Sequence, residues 1–259
     1  MLRVGRIIRS ERSDVSYHIL EPISQTELAG TWRAERLGRR RRLVCVKATR
    51  DDEAWSREIY FSRLTSHPRV LPVVDHFPVT CSSGGRRATA YCIVRELADG
   101  GDLVSWLSRR RHGLSPSEVV SQVRPLAGAL GRLHRGGVAH GDLAPTNVLV
   151  LRGRLVLADF GLAHLTSLET CRATRKNAWW TPSGYIGSAR DDVWALGQFL
   201  AVLHKGDATR PLRSGEIRRL GMPPGLEELV LSCTGPASGR PADAGELHGL
   251  LSDPDLLRS

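Results

Sequence analysis

Apolar residues recur at helical spacing at Val119, Val123, Leu126, Leu130 and Leu133, with polar positions between them. Ser115-Pro116-Ser117-Glu118 stands ahead of this stretch as a capping box with proline at the first helical position, and Gly136-Gly137 stands after it. The pattern predicts one long helix packed into a core, and Pro125 is the one place where it has cause to kink. A second helix is predicted to start after the capping pair Asp51-Asp52, because Ala54, Glu58 and Phe61 then share a face. Downstream the period shortens. Residues 148–151 and 154–158 are two short apolar runs joined by Arg152-Gly153, which reads as a hairpin. Asp99-Gly100-Gly101 interrupts the strand pattern that precedes it and marks a boundary.

The hairpin brings chemistry together. Paired strands lie ~5 Å apart, so Asn147 at the entrance and Asp159 at the exit should finish side by side. An amide oxygen beside a carboxylate suits Mg²⁺, a hard cation that takes a few oxygen ligands together with phosphate. Asp142, in the same loop as Asn147, is placed to orient a hydroxyl nucleophile or to accept its proton.

His140-Gly141-Asp142-Leu143-Ala144-Pro145-Thr146-Asn147, followed by Asp159-Phe160-Gly161, resembles the catalytic loop and metal-binding segment of the eukaryotic-like (bacterial-type) serine/threonine protein kinase superfamily. Four further segments fit in order. Val44-Cys45-Val46-Lys47 is similar to the third-strand motif whose lysine holds the α- and β-phosphates, and lysine otherwise occurs only at Lys176 and Lys205. Tyr91 to Leu103 is similar to strand 5, the gatekeeper, the hinge and the next helix; Asp192-Val193-Trp194-Ala195-Leu196-Gly197 is similar to the start of helix F; and Gly239-Arg240-Pro241 is similar to the segment before the last helix. Asp-Phe-Gly alone is a weak signal, whereas the ordered set is a strong one.

The resemblance implies an α+β, bilobal protein-kinase-like fold in a single domain over 1–259, with a small β-rich N-lobe over about 1–97, a hinge at about 96–101 and a larger helical C-lobe over about 102–259. It implies ATP and Mg²⁺ as cofactors. Lys47 would hold the phosphates, Glu58 would position Lys47, Asp142 would orient the acceptor hydroxyl, and Asn147 and Asp159 would carry the metal. The Glu96 carbonyl and Ala98 amide would face adenine, with Leu149 also lining the nucleotide. Ser24, Thr26 and Ala29 take the phosphate-loop positions. His140 is expected to be buried and to support backbone.

Several positions depart from the family pattern. Ser24, Thr26 and Ala29 stand where glycine is usual, which implies a stiffer loop farther from the phosphates. Arg95 falls at the gatekeeper, where a cation either fills the pocket behind adenine or competes with Lys47 for Glu58 and Asp159. Ala144 replaces a lysine that reaches the transferred phosphate. Gly141 replaces the arginine that an activation-loop phosphate neutralises, so control through Thr166, Ser167, Thr170 or Thr174 is not expected. Thr181-Pro182-Ser183 is either a degenerate Ala-Pro-Glu or the substrate-facing Thr-Pro; on the first reading Arg240 loses its glutamate partner.

Composition narrows the class. Five cysteines without a Cys-x-x-Cys pair argue against a disulfide framework or a zinc site and favour a cytoplasmic protein. No stretch approaches the ~20 apolar residues of a membrane span. The formal charge of +10 reflects arginine spread throughout the chain, with no aromatics interleaved, so nucleic acid is not an expected partner. A protein substrate or a regulatory protein is expected; the oligomeric state is not specified. Two other functions use the same residues. One is a pseudokinase that acts as a nucleotide- or protein-binding regulatory module, supported by the glycine-poor loop, Arg95 and Ala144. The other is a small-molecule kinase of the antibiotic or choline kinase type, supported by His140-Gly141-Asp142 and opposed by Phe160, Gly161 and the helix F motif.

Overall fold

The computed structural model describes residues 2–26, 29–83, 86–166 and 178–258. Glu27 and Leu28 of the phosphate-loop segment, and Ser167, Thr170, Cys171, Thr174 and Lys176, lie outside the described residues. The chain divides into two compact units, residues 1–66 with 71–98, and residues 67–70 with 99–259.

The first unit is built on a six-stranded antiparallel sheet of β1 (Ile7–Ser10), β2 (Val15–Gln25), β3 (Ala29–Arg36), β4 (Arg42–Thr49), β5 (Val73–Ser83) and β6 (Arg86–Glu96), in spatial order β1-β2-β3-β4-β6-β5. Alternation along the strands decides the faces. Val44, Val46 and Ala48 of β4 join Tyr17, Ile19, Trp32, Ala34, Phe77, Cys92 and Val94 in one buried cluster, while Cys45 and Lys47 point to the opposite face. The helix of this unit among its described residues, α1 (Asp52–Leu64), is capped by Asp51, whose carboxylate accepts the Ala54 N–H at 2.9 Å. Such a cap stabilises a helix by about 1 kcal/mol. Glu58, Ile59, Phe61 and Ser62 are its buried residues.

The second unit is mainly helical. It contains α2 (Leu103–Ser108), α3 (Pro116–Arg135), α4 (Ala189–Lys205), α5 (Ser214–Ile217), α6 (Pro224–Thr234) and α7 (Ala244–Leu250), with the short strands β7 (Val138–Ala139), β8 (Val148–Leu151), β9 (Arg154–Leu157) and β10 (His164–Leu165). The sequence signals for α3 hold: the Ser115–Glu118 capping box is formed, Pro116 opens the helix, and the helix runs on through Pro125. Every residue of α4 from Asp191 to Leu203 is buried, as a helix that is apolar nearly all round must be, and α3, α6 and α7 pack on it.

One short segment groups with the unit that does not contain its sequence neighbours. Residues 67–70 group with the second unit because Arg69 donates to the Leu155 carbonyl at 3.1 Å and to Gln122 at 3.3 Å, and the Arg69 carbonyl accepts the Leu157 N–H. Among the described residues no helix is long and apolar enough to cross a membrane.

Candidate active site

The first unit supplies a cation pair on one carboxylate. Lys47 of β4 pairs across the sheet with Ile93 of β6, and Cys45 pairs with Arg95, so Lys47 and Arg95 emerge on one face two residues apart in register. Helix α1 crosses that face with Glu58. Lys47 Nζ lies 2.7 Å from Glu58 Oε2, and Arg95 Nη2 lies 2.9 Å from Glu58 Oε1. The expected contest for Glu58 is therefore a division, one oxygen to each cation. Arg95 is 4 % exposed and also donates to Ser62 Oγ at 3.0 Å and to the Leu71 carbonyl at 2.6 Å. Cys45 lies among these charges, and its burial pushes the thiol up to about 11 although Arg95 and Lys47 oppose the shift.

Thr26 is engaged locally: its N–H and hydroxyl both donate to the Ala29 carbonyl, and its hydroxyl accepts the Ala29 N–H. Ser24 pairs with Thr31 in the ladder and is exposed. Glu96 is the last residue of β6, opposite Val44, and Ala98 ends the first unit.

The second unit supplies acid and amide. Strands β8 and β9 form the expected hairpin, with Arg152 at φ 52° and Gly153 at φ 73°, the double positive φ of a two-residue hairpin turn. The Asp99 carboxylate accepts the Arg152 N–H at 2.7 Å and supports this conformation, unusual for a residue with a side chain. Leu149 lies on β8 opposite Val156. Asn147 and Asp159 do end side by side, for the Ala158 N–H donates to the Asn147 carbonyl at 2.9 Å. The Asn147 amide nitrogen donates to the Asp142 carbonyl at 2.7 Å and to Asp142 Oδ2 at 3.0 Å. Both amide protons are thus directed at Asp142, leaving Oδ1 as the atom of that amide suited to a cation. Asp159 adopts φ 58°, a left-handed conformation stored at few non-glycine positions, while Phe160 beside it is fully buried against His140. His140 is itself buried, with Nδ1 accepting the Asp142 N–H and Nε2 reaching the Ala158 carbonyl at 3.2 Å, the supporting role expected of it.

Beneath the loop, Asp192 of α4 accepts the His140 N–H at 2.7 Å, the Gly141 N–H at 3.4 Å and His134 Nε2–H at 2.9 Å. Burial alone would raise the Asp192 carboxyl, but the His134 hydrogen bond, the nearby His134 and His140 rings and the His140 backbone donor hold it below the usual range.

Several features were not legible in the sequence. The Arg240 guanidinium has an aspartate for its partner: it is buried and pairs with Asp191 Oδ1 at 3.3 Å, an acid that the reading of Thr181-Pro182-Ser183 did not offer it. The same Asp191 caps α4 through its other oxygen. Gly141 has φ 77°, and a Cβ there would meet the Leu162 carbonyl at 2.8 Å and the His164 ring at 3.0 Å, so His164 stands where a side chain at 141 would emerge. The Tyr185 hydroxyl donates to the Gly141 carbonyl. Ala144 is fully buried, part of the loop's packing. The two adjacent indoles divide their roles: Trp180 is buried and stacks on Phe199 of α4, whereas Trp179 is exposed.

Residues 39–219 match the protein kinase domain family model. This chain belongs to that family. A CBL-interacting serine/threonine-protein kinase 7 of Arabidopsis thaliana is 35% identical over 155 residues, covering 56% of this chain and 34% of the relative. The probable serine/threonine-protein kinase PknB of Lactococcus lactis is 25% identical over 224 residues, 80% of this chain and 33% of its own length. Serine/threonine-protein kinase PknL of Mycobacterium tuberculosis is 32% identical over 176 residues, 58% of this chain and 43% of its own. The matches to these three relatives cover between a third and somewhat over two fifths of each relative's length.

Proposed function

We propose that this kinase domain transfers the γ-phosphate of ATP to serine or threonine hydroxyls of a protein. The observation that carries the reading is the commitment of the Asn147 amide to Asp142, which orients the carboxylate and turns the amide oxygen to the cation's side. The donor set fits the family's cofactors. Asn147 Oδ1 and the Asp159 carboxylate are hard oxygen ligands of the kind Mg²⁺ takes alongside phosphate, and Lys47, held by Glu58, is a cation for the α- and β-phosphates. Bound there, the metal would supply charge neutralisation for the triphosphate.

Each residue then has one task. Lys47 binds the phosphates, Glu58 fixes Lys47, and Asp142 orients the acceptor hydroxyl and takes up its proton. Glu96, Ala98 and Leu149 line the nucleotide base, and the turn at Ser24, Thr26 and Ala29 covers the phosphates. With Ala144 in place of a cation, transition-state charge is stabilised by fewer groups, and turnover is slow. The pseudokinase reading is less well supported, since Lys47, Glu58, Asp142, Asn147 and Asp159 are all present and Arg95 has a structural partner. A protein substrate inside the cytoplasm suits the family and the composition.

The test is incubation of the purified chain with labelled ATP, Mg²⁺ and a general protein acceptor. Asp142→Ala, Asp159→Ala and Lys47→Ala should each lower transfer by about 100-fold or more with the fold intact. Undiminished transfer by Asp159→Ala removes the assignment.

A further inference from the structure

We propose that Arg95 is a positioning residue for phosphoryl transfer, clamping α1 so that Glu58 stays on Lys47; this rests on the kinase reading above. The clamp lies wholly within the first unit. One guanidinium reaches three targets from β6: Glu58 on the helix, Ser62 one turn further along it, and the Leu71 carbonyl in the segment between α1 and β5. Glu58 and Ser62 are four residues apart, so they share a face of the helix, and Arg95 spans them. Trp55 provides a second tie nearer the start of α1, its indole N–H donating to the Cys92 carbonyl of β6 at 3.0 Å. The helix is therefore tied to one strand at both ends of its inner face.

The chemistry requires arginine. A buried carboxylate needs both oxygens satisfied, and Lys47 lies on Oε2. Arg95 takes Oε1 with a planar fork whose other nitrogen is fixed by the Leu71 carbonyl, so the guanidinium cannot turn without breaking a second bond. An apolar residue at 95 leaves Oε1 buried without its partner, and the carboxylate gains by rotating or by carrying α1 outward. A lysine restores charge but cannot address Leu71 and Glu58 in the same geometry. In this chain the Lys47–Glu58 pair is thus held by a side chain of the sheet itself.

The experiment is a double-mutant cycle on the full chain, comparing Arg95→Met and Glu58→Gln singly and together, with Arg95→Lys as the conservative variant. Transfer and hydrogen exchange of the α1 amides are both read. Arg95→Met should lower kcat by roughly tenfold while the KM for the protein acceptor holds, yet cost less than about twofold when Glu58 is already glutamine, because residues acting through one contact are not additive. Arg95→Lys should recover part of the loss, and α1 should exchange faster in Arg95→Met. Additive losses, or a kcat unchanged by Arg95→Met, overturn the proposal. Should Arg95→Met not fold, Arg95→Gln, which keeps an amide donor, takes its place in the cycle. If the unaltered chain transfers no phosphate, the kinase reading fails by itself. The exchange arm then still decides the clamp: faster exchange of α1 supports it and unchanged exchange rejects it.

Discussion

At position 141 the backbone has φ 77° and a side chain would start 2.8 Å from the Leu162 carbonyl. Glycine adopts that conformation without strain, while any other residue there costs about 1–3 kcal/mol before the collision is counted. The absent arginine is thus a consequence of packing: the His164 ring occupies the space, and the Gly141 carbonyl is held by Tyr185. Gly141→Arg should therefore lose stability, by at least about 1–3 kcal/mol in urea unfolding, and should not raise transfer. Unchanged stability, or a gain in activity, would show that the loop opens to accept the side chain. The sequence displayed the glycine but not its cause, because nothing in the spacing of Gly141, His164 and Tyr185 shows that they meet. Arg95 is similar. Its oddity was visible, but its partners Ser62 and Leu71 come from a helix and a connection whose placement depends on the tertiary fold.

At the scale of elements the local signals were sufficient where a short segment carries its own instructions. The Asp51 cap of α1, the Ser115–Glu118 box of α3 and the Arg152-Gly153 hairpin all formed where caps, period and turn residues agree. Helix α4 shows what such signals omit. Two adjacent acids at its start point to different tasks, Asp191 to Arg240 and its own cap, and Asp192 to the backbone under His140 and Gly141. The Asp192 carboxyl sits below its usual range in the folded chain, so folding favours its charged form. Its contribution to stability is complete above the unfolded value of about 3.9 and is lost as pH falls through the lower, folded value. Asp192→Asn should therefore be markedly less stable than the unaltered chain at neutral pH, and the gap should narrow below about pH 4, where the aspartate also becomes neutral. Urea unfolding across that range tests it. A gap independent of pH would mean that the contacts, not the charge, hold the catalytic loop.

For the whole molecule, each half of the candidate chemistry is completed within its own unit: Lys47, Glu58 and Arg95 in the first, Asp142, Asn147 and Asp192 in the second. Each motif lies on a short local element, which is why its position along the chain was legible in the sequence while its partners were not. The segment 67–70 groups with the second unit through Arg69 and its hydrogen bonds. The same organisation bears on control. A phosphate on a loop acts by pairing with a cation, usually arginine, and position 141 offers none. The Thr166 hydroxyl already donates to the Gly137 carbonyl at 3.0 Å, beside its own N–H at 2.7 Å, so a phosphate there would break a bond and find no cation at 141 in exchange. Replacing Thr166, Ser167, Thr170 and Thr174 together by alanine should accordingly leave transfer to an added acceptor largely unchanged, and phosphatase treatment of the unaltered chain should not reduce it. The assay pairs both preparations against Asp142→Ala. A loss in the fourfold variant that aspartate or glutamate at the same positions restores would establish a phosphorylation switch whose cation lies somewhere other than residue 141.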